Sequence, residues 1–185
     1  NNNILLWISQ EKLPLTIKDF RTSPGKGVYI FNRSSGDLKL NIKNVSNKFI
    51  WNAKDSLVFW YESDTSSIAI LQYENKFDTA ILKSSLQNQT KLQKEMLFPI
   101  SRFIKPGQPL RLLSKEAIIY IDSSKIKTLP PSNYTMTSNK DDPRIVEINF
   151  NFHNLTENTV VLDSFLTRSI NGLYNSADTI KLNLI

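Results

Sequence analysis

At 185 residues, with 40% apolar and 22% charged side chains, the chain is long enough to bury a sizeable core and too apolar for a disordered class. It has no cysteine and one histidine, His153, which excludes disulfides, thiol catalysis, Cys-based zinc sites and His clusters. Its net charge of +6 is compatible with an anionic partner, but 17 lysines outnumber six arginines and stand scattered, so neither the arginine fork nor a basic run favours nucleic acid.

The chain opens Asn1-Asn2-Asn3 with no Met, which reads as a processed or trimmed chain. The uncharged run Ile4-Leu5-Leu6-Trp7-Ile8 follows and reads as a first strand. Left bare, such a strand would aggregate, so it must be covered by its own sheet or by another chain. Ser23-Pro24-Gly25-Lys26-Gly27 is a turn cluster, Val28 to Phe31 a short apolar strand, and Asn32 to Gly36 a second turn. From Asp37 to Lys43 the period is two: Leu38, Leu40 and Ile42 face one side, Lys39, Asn41 and Lys43 the other.

Aromatic residues then cluster: Phe49, Trp51, Phe59, Trp60 and Tyr61. Leu57 to Tyr61 is apolar on both faces, so one face can serve the core while the other meets a loop, a second sheet or a partner. Exposed Trp and Tyr make sugar-stacking platforms or interface anchors, and a buried Trp is equally at home inside a β-sandwich; both readings stay open for Trp51, Trp60 and Tyr61. Ile68 to Leu71 is another short, continuously apolar strand.

Ser84 to Glu95 is polar and reads as a short surface helix or a long loop. Ala117 to Ile121 is a strand flanked by Glu116 and Asp122, read as strand-end charges. Asp141-Asp142 lacks the spacing of a calcium loop and reads as a solvated loop, with Pro143 forcing Asp142 to extend. Arg144 to Asn154 alternates, with Val146, Ile148, Phe150 and Phe152 inward; parity turns His153 outward with Asn149 and Asn151. No nucleophile elbow or phosphate-binding loop accompanies it. From Asp163 to Tyr174, Leu166, Ile170, Leu173 and Tyr174 fall at helical spacing, weakened by Gly172. Thr179 to Ile185 closes the chain as a second terminal strand, with Ile180, Leu182 and Leu184 inward.

The segments Val28 to Ser34, Leu38 to Ser46 and Phe98 to Leu112 resemble the strand pattern of immunoglobulin-like domains in periplasmic pilus chaperones. The resemblance implies cell-envelope assembly and assigns no functional residue, and the chain looks too short for that family's two domains.

The expected fold is all-β: a two-sheet antiparallel β-sandwich, immunoglobulin-like or jelly-roll, of about eight to twelve strands, with at most one or two short helices. Residues 1–185 read as a single domain without internal repeat; the only weak boundary is near 130–143, and too few residues follow it for an independent core. The expected function is non-enzymatic. It is an exported protein acting by edge or terminal strand pairing with other protein subunits or copies of itself, in a cell-envelope or surface assembly such as a pilus or secretion system. Its interaction residues would be Ile4, Leu5, Leu6, Trp7, Ile8, Ile180, Leu182 and Leu184. The alternatives are a carbohydrate-binding module or adhesin using Trp51, Trp60 and Tyr61 on a glycan, and a viral coat or fibre subunit. No cofactor, metal or nucleic acid is expected, and no apolar run reaches the roughly 18 residues of a membrane span. Export is inferred from the lack of cysteine. Five N-x-S/T sequons, at Asn32, Asn44, Asn88, Asn133 and Asn154, are too near chance in so Asn-rich a chain to decide it.

Overall fold

The computed structural model describes residues 13–34, 36–85, 94–151 and 158–185. Alternation builds the first seven strands: β1 (Ile17–Ser23), β2 (Lys26–Phe31), β3 (Leu38–Lys43), β4 (Asn47–Ala53), β5 (Ser56–Glu62), β6 (Ser67–Tyr73) and β7 (Lys76–Leu82). They pair antiparallel in two sheets, β1-β2-β5-β4 and β3-β6-β7. Tyr29, Phe31, Leu57, Phe59 and Tyr61 of the first sheet bury against Ile42, Ala69, Leu71 and Leu82 of the second, the one-face burial that a period of two dictates. The β1–β2 turn needs a left-handed residue, and Gly25 supplies it at φ +76°.

The remaining strands are β8 (Lys94–Glu95), β9 (Phe98–Pro99), β10 (Phe103–Ile104), β11 (Leu110–Leu113), β12 (Ile118–Ile121), β13 (Ile126–Leu129), β14 (Tyr134–Ser138), β15 (Ile145–Phe150), β16 (Asn158–Leu162), β17 (Thr167–Ser169), β18 (Tyr174–Asn175) and β19 (Asp178–Leu184). Two sheets, β9-β11-β15-β14 and β13-β16-β19-β10, enclose a second core of Leu110, Leu112, Val146, Ile148, Val160, Leu162, Ile180 and Leu182. A small sheet, β12-β17-β18-β8, is added at one end.

Among the described residues no strand pairing joins β1–β7 to β8–β19. The two groups nevertheless share one plan. In chain order within its group, each sandwich stacks strands 1-2-5-4 on strands 3-6-7: β1-β2-β5-β4 on β3-β6-β7, and β9-β11-β15-β14 on β13-β16-β19. The second differs by β10, which lies parallel to its last strand, β19. The repeat is topological and invisible in the residues, because many sequences satisfy the same alternation. Two such units, the second with short accessory strands, also raise the count to nineteen described strands rather than eight to twelve. The 130–143 stretch lies inside the second sandwich and contains β14.

The all-β sandwich expectation holds, and one of the two stretches that could have been helical is not. Residues 163–174 form β17 and the start of β18, joined by a turn in which Ser169 and Leu173 exchange hydrogen bonds. Left-handed Phe165 (φ +66°) and Gly172 (φ +74°) break any helical run. Leu166 and Ile170 are buried, so the helical spacing was a by-product of two inward residues on an irregular path. Ser84 to Glu95 lies largely outside the described residues, as does His153. No described helix is long and apolar enough to cross a membrane.

Candidate functional site

The outer face of β2-β5-β4 is covered by residues of the small β12-β17 sheet and its adjoining turns at one end of the second sandwich. Val58 and Trp60 on β5, Val28 on β2 and Phe49 and Trp51 on β4 pack against Ala117, Ile119 and Ile170. This answers the two-faced run Leu57–Tyr61: Leu57, Phe59 and Tyr61 enter the first core, and Val58 and Trp60 enter the seam between sandwiches.

Glu116 is the polar centre of that seam. Its Oε2 accepts from the Trp60 indole Nε1 at 2.6 Å and from Lys26 Nζ at 2.9 Å, while the same ammonium lies 5.2 Å from the Trp60 ring. An indole N–H carried into a dry interface must find an acceptor, and a carboxylate shared with a lysine is a strong one. Glu116 is therefore not a mere strand-end charge; Asp122 is also engaged, capping a 3₁₀ turn at Ser123–Lys125 by accepting from the Ser124 N–H. Beside Glu116, Arg144 stacks on Trp51 at 4.1 Å and forks onto both carboxylate oxygens of Asp142 at 3.0 and 2.7 Å. The expectation of a solvated Asp141–Asp142 loop is corrected for Asp142, which is buried. Burial pushes its carboxyl up, but the Arg144 side-chain and backbone hydrogen bonds and the guanidinium charge outweigh it and hold the group below its ordinary value. Across the seam, the Gly25 turn presses on the Asn171 side chain, leaving no room for a Cβ. A cleft of about 270 Å³ remains where Phe49 and Ile50 face Ile119, Ser138 and Lys140.

Glu95 borders this network. Its Oε1 accepts from Ser114 Oγ at 2.8 Å, and Ser114 Oγ also accepts from the Glu116 N–H. Burial pushes the Glu95 carboxyl above its ordinary 4.5; the Ser114 hydroxyl opposes the rise and the Glu116 charge adds to it. A raised folded-state value makes the contribution of Glu95 to stability complete below the unfolded value and lost as pH rises through the folded one. Glu95→Gln is expected to remove that loss, so that its melting temperature gains on the parent as pH climbs above the ordinary carboxylate range. Parallel melting curves for the two proteins across that range would contradict the assignment.

The structure brings Trp51 and Trp60 together in the seam and places Tyr61 in the first core and Ile180 and Leu182 in the second. Trp60 and Tyr61 are fully buried, and the Tyr61 hydroxyl donates to the Lys83 carbonyl at 2.7 Å. The sugar platform suggested for these residues is thus corrected: Trp60 and Tyr61 present no surface, and the face of Trp51 is taken by Arg144. Ile180 and Leu182 are core residues of β19, itself paired on both sides by β16 and β10. Leu184 shares that strand, at a register position opposite Ile104. Ile4, Leu5, Leu6, Trp7 and Ile8 lie outside the described residues.

Sequence reasoning missed the exposed apolar surfaces. On the outer face of β3-β6-β7, Phe77 and Ile81 are 69% and 76% exposed, and Ile68, directly opposite Ile81, is 42% exposed. Lys39 and Lys43 on β3, opposite Gln72 and Ile68, border this strip. The missed signal was Ile68–Leu71, apolar on both faces, with Ile81 paired to it. A second surface surrounds a cleft of about 220 Å³ lined by Ile100, Phe103, Pro109 and Arg111. Glu116 and Asp142 are engaged by Trp60, Lys26 and Arg144, and the described residues leave apolar surface and strand edges exposed.

No protein-family model and no curated protein matches the sequence. Several solved structures resemble the fold. Domains 4–9 of the surface layer protein SbsC align at TM-score 0.38 and 7% identity over 94% of this chain and 31% of that one. Domains 5–6 of the S-layer protein SbsC align at TM-score 0.34 and 7% identity over 94% and 97%. The SGBP-B protein of the Bacteroides ovatus mixed-linkage glucan utilization locus, in complex with a mixed-linkage heptasaccharide, aligns at TM-score 0.23 and 11% identity over 94% and 48%. At these identities and scores the likeness carries no argument about function.

Proposed function

We propose that the chain is a non-enzymatic, exported protein that works by protein–protein contact, pairing an edge or terminal strand with another subunit in a cell-envelope or surface assembly such as a pilus or secretion system. One observation carries this reading: β7, the outer strand of its sheet, bears exposed Phe77 and Ile81 beside Ile68. Apolar edge strands are normally charged, shortened or covered, so one that the described residues leave uncovered suits a surface that meets another chain. The strand order 1-2-5-4 over 3-6-7 supports the immunoglobulin-like form of the sandwich over the jelly-roll. The buried seam supports reading 1–185 as one unit rather than two loosely tethered ones.

The test is removal of the apolar leader. Light scattering on a size-exclusion column is expected to show the full chain associating, and the chain lacking Asn1–Ser9 as a monomer or an aggregating one. A truncated chain that keeps the parent's mass, solubility and stability overturns the reading.

A further inference from the structure

We infer that Glu95 and Glu116, joined through Ser114, form a proton-operated latch. While Glu95 holds a proton, β8 is fastened to the small end sheet; when Glu95 loses that proton, β8 lets go.

The two carboxyl groups stand on either side of one buried hydroxyl. Glu95, Ser114 and Glu116 are 8%, 1% and 7% exposed. Ser114 Oγ accepts the Glu116 N–H at 3.2 Å and donates its one proton to Glu95 Oε1 at 2.8 Å. Glu95 Oε2 is buried with no hydrogen-bond partner among the described residues. A charge placed on that oxygen has neither water nor a donor, which a buried carboxylate tolerates badly. Burial is the largest force against ionisation and the Glu116 charge adds to it, while the Ser114 hydroxyl and Lys115 act the other way. Lys26 and Trp60 face the pair through Glu116, on which both are spent. Arg144, whose carbonyl takes the Ser114 N–H, turns its guanidinium to Asp142. On β18, Tyr174 and Asn175 stand opposite Lys94 and Glu95 in register. The Asn175 side chain is spent on the Thr167 N–H and on the Asp163 and Ser176 carbonyls.

The weaker-held partner moves. Glu116 is fixed by the Trp60 indole from β5 and the Lys26 ammonium from β2. Glu95 sits on a strand of two residues, tied by its pairing with β18 and by the Ser176 N–H donating to the Glu95 carbonyl at 2.8 Å. Leu97, buried in the second core, anchors the chain just beyond. A charge on Glu95 therefore swings β8 about Leu97 and leaves the seam closed. The carboxylate returns to water, and β18, paired on its other side with β17, gains an open edge. The latched form holds the proton more tightly than the released form, so low pH favours it. Between the released and latched values, each unit of pH weakens the latch about tenfold.

The test follows the full chain as pH is raised from the ordinary carboxylate range. Carbon NMR reads the Glu95 carboxyl, and amide exchange reads the Ser176 N–H against the Ile170 N–H, which is bonded to the Ala117 carbonyl in the seam. The ratio of the two rates cancels the intrinsic effect of pH. Glu95 is expected to titrate above its ordinary value, with the ratio climbing about tenfold per pH unit over the same interval and Trp fluorescence unchanged. Glu95→Gln, which keeps the acceptor for Ser114 and cannot ionise, is expected to hold the ratio flat. Should it fail to fold by far-ultraviolet circular dichroism, Ser114→Ala replaces it. That variant removes a donor to the charged form and is expected to move titration and release upward in pH together. Titration in the ordinary range, or raised titration with a flat ratio, overturns the latch. A ratio that still climbs in Glu95→Gln assigns the release to another group. A red shift of Trp fluorescence following the Glu95 titration would make the seam, not β8, the moving part.

Discussion

Glu116→Ala is expected to turn a single unfolding transition into two. The carboxylate holds the Trp60 indole and the Lys26 ammonium in one seam. Its removal leaves a fully buried N–H without an acceptor and a lysine without its counter-charge. Removing one partner of a buried pair costs about 3–5 kcal/mol. Lys26 keeps a quarter of its side chain in water, so the expected loss is nearer about 2–4 kcal/mol. Most of it falls on the contact between sandwiches, because Glu116 touches neither interior core. Calorimetry should show a lower, split transition, and Trp fluorescence should shift red at the first step as Trp60 meets water. Glu116→Gln, which keeps an acceptor for the indole but not the charge, should fall between. A single transition at the parent's temperature in Glu116→Ala would show that the apolar contacts of Trp51, Ile119 and Ile170 hold the seam alone.

The second large effect is expected inside the first sandwich. Gly27 lies opposite Phe59 in the β2–β5 register, and the Phe59 ring fills the space where a Cβ would stand. Phe59 is fully buried and already packed against Tyr29 and Tyr61, with ring centroids at 6.1 and 6.2 Å, so the ring has nowhere to go. Gly27→Ala should therefore cost about 3 kcal/mol, the upper end of overpacking, or roughly 6–12 °C in melting temperature for a chain of this size. Phe59→Leu makes room, and the double variant should be more stable than Gly27→Ala alone, a coupling that a mutant cycle measures directly. Additive losses would place the strain elsewhere in the hairpin.

These two sites show how far the residues could be read unaided. Gly27 stood in an obvious turn cluster, but that it exists to admit Phe59 depends on a register between residues 32 positions apart. Glu116 stood at the end of an apolar run, where a charge is unremarkable. Its partners lie 56 and 90 positions away, and alternation says which side a residue faces, never which residue waits there. Asp142 was legible as a proline-extended carboxylate; that Arg144 would fold over Trp51 and bury it was not. Likewise the spacing at Leu166, Ile170, Leu173 and Tyr174 met a helical template because any two inward residues four apart do so.

From the residues alone came the all-β class, the strands read at 37–43, 57–61, 144–154 and 179–185, the inward sides of Ile148, Ile180 and Leu182, and the need for something to cover both faces of Leu57–Tyr61. Those follow from a local rule, because side chains on a pleated strand must alternate and the apolar ones must leave water. Tertiary structure alone decided that the covering layer comes from the β12-β17 end of a second group of strands that repeats the first one's strand order, that Trp60 and Tyr61 are interior rather than displayed, and that among the described residues an exposed apolar strip falls on β7 instead of β19. Those depend on which distant segments meet, and long-range pairing is chosen by the packing of the whole chain rather than by any window of it.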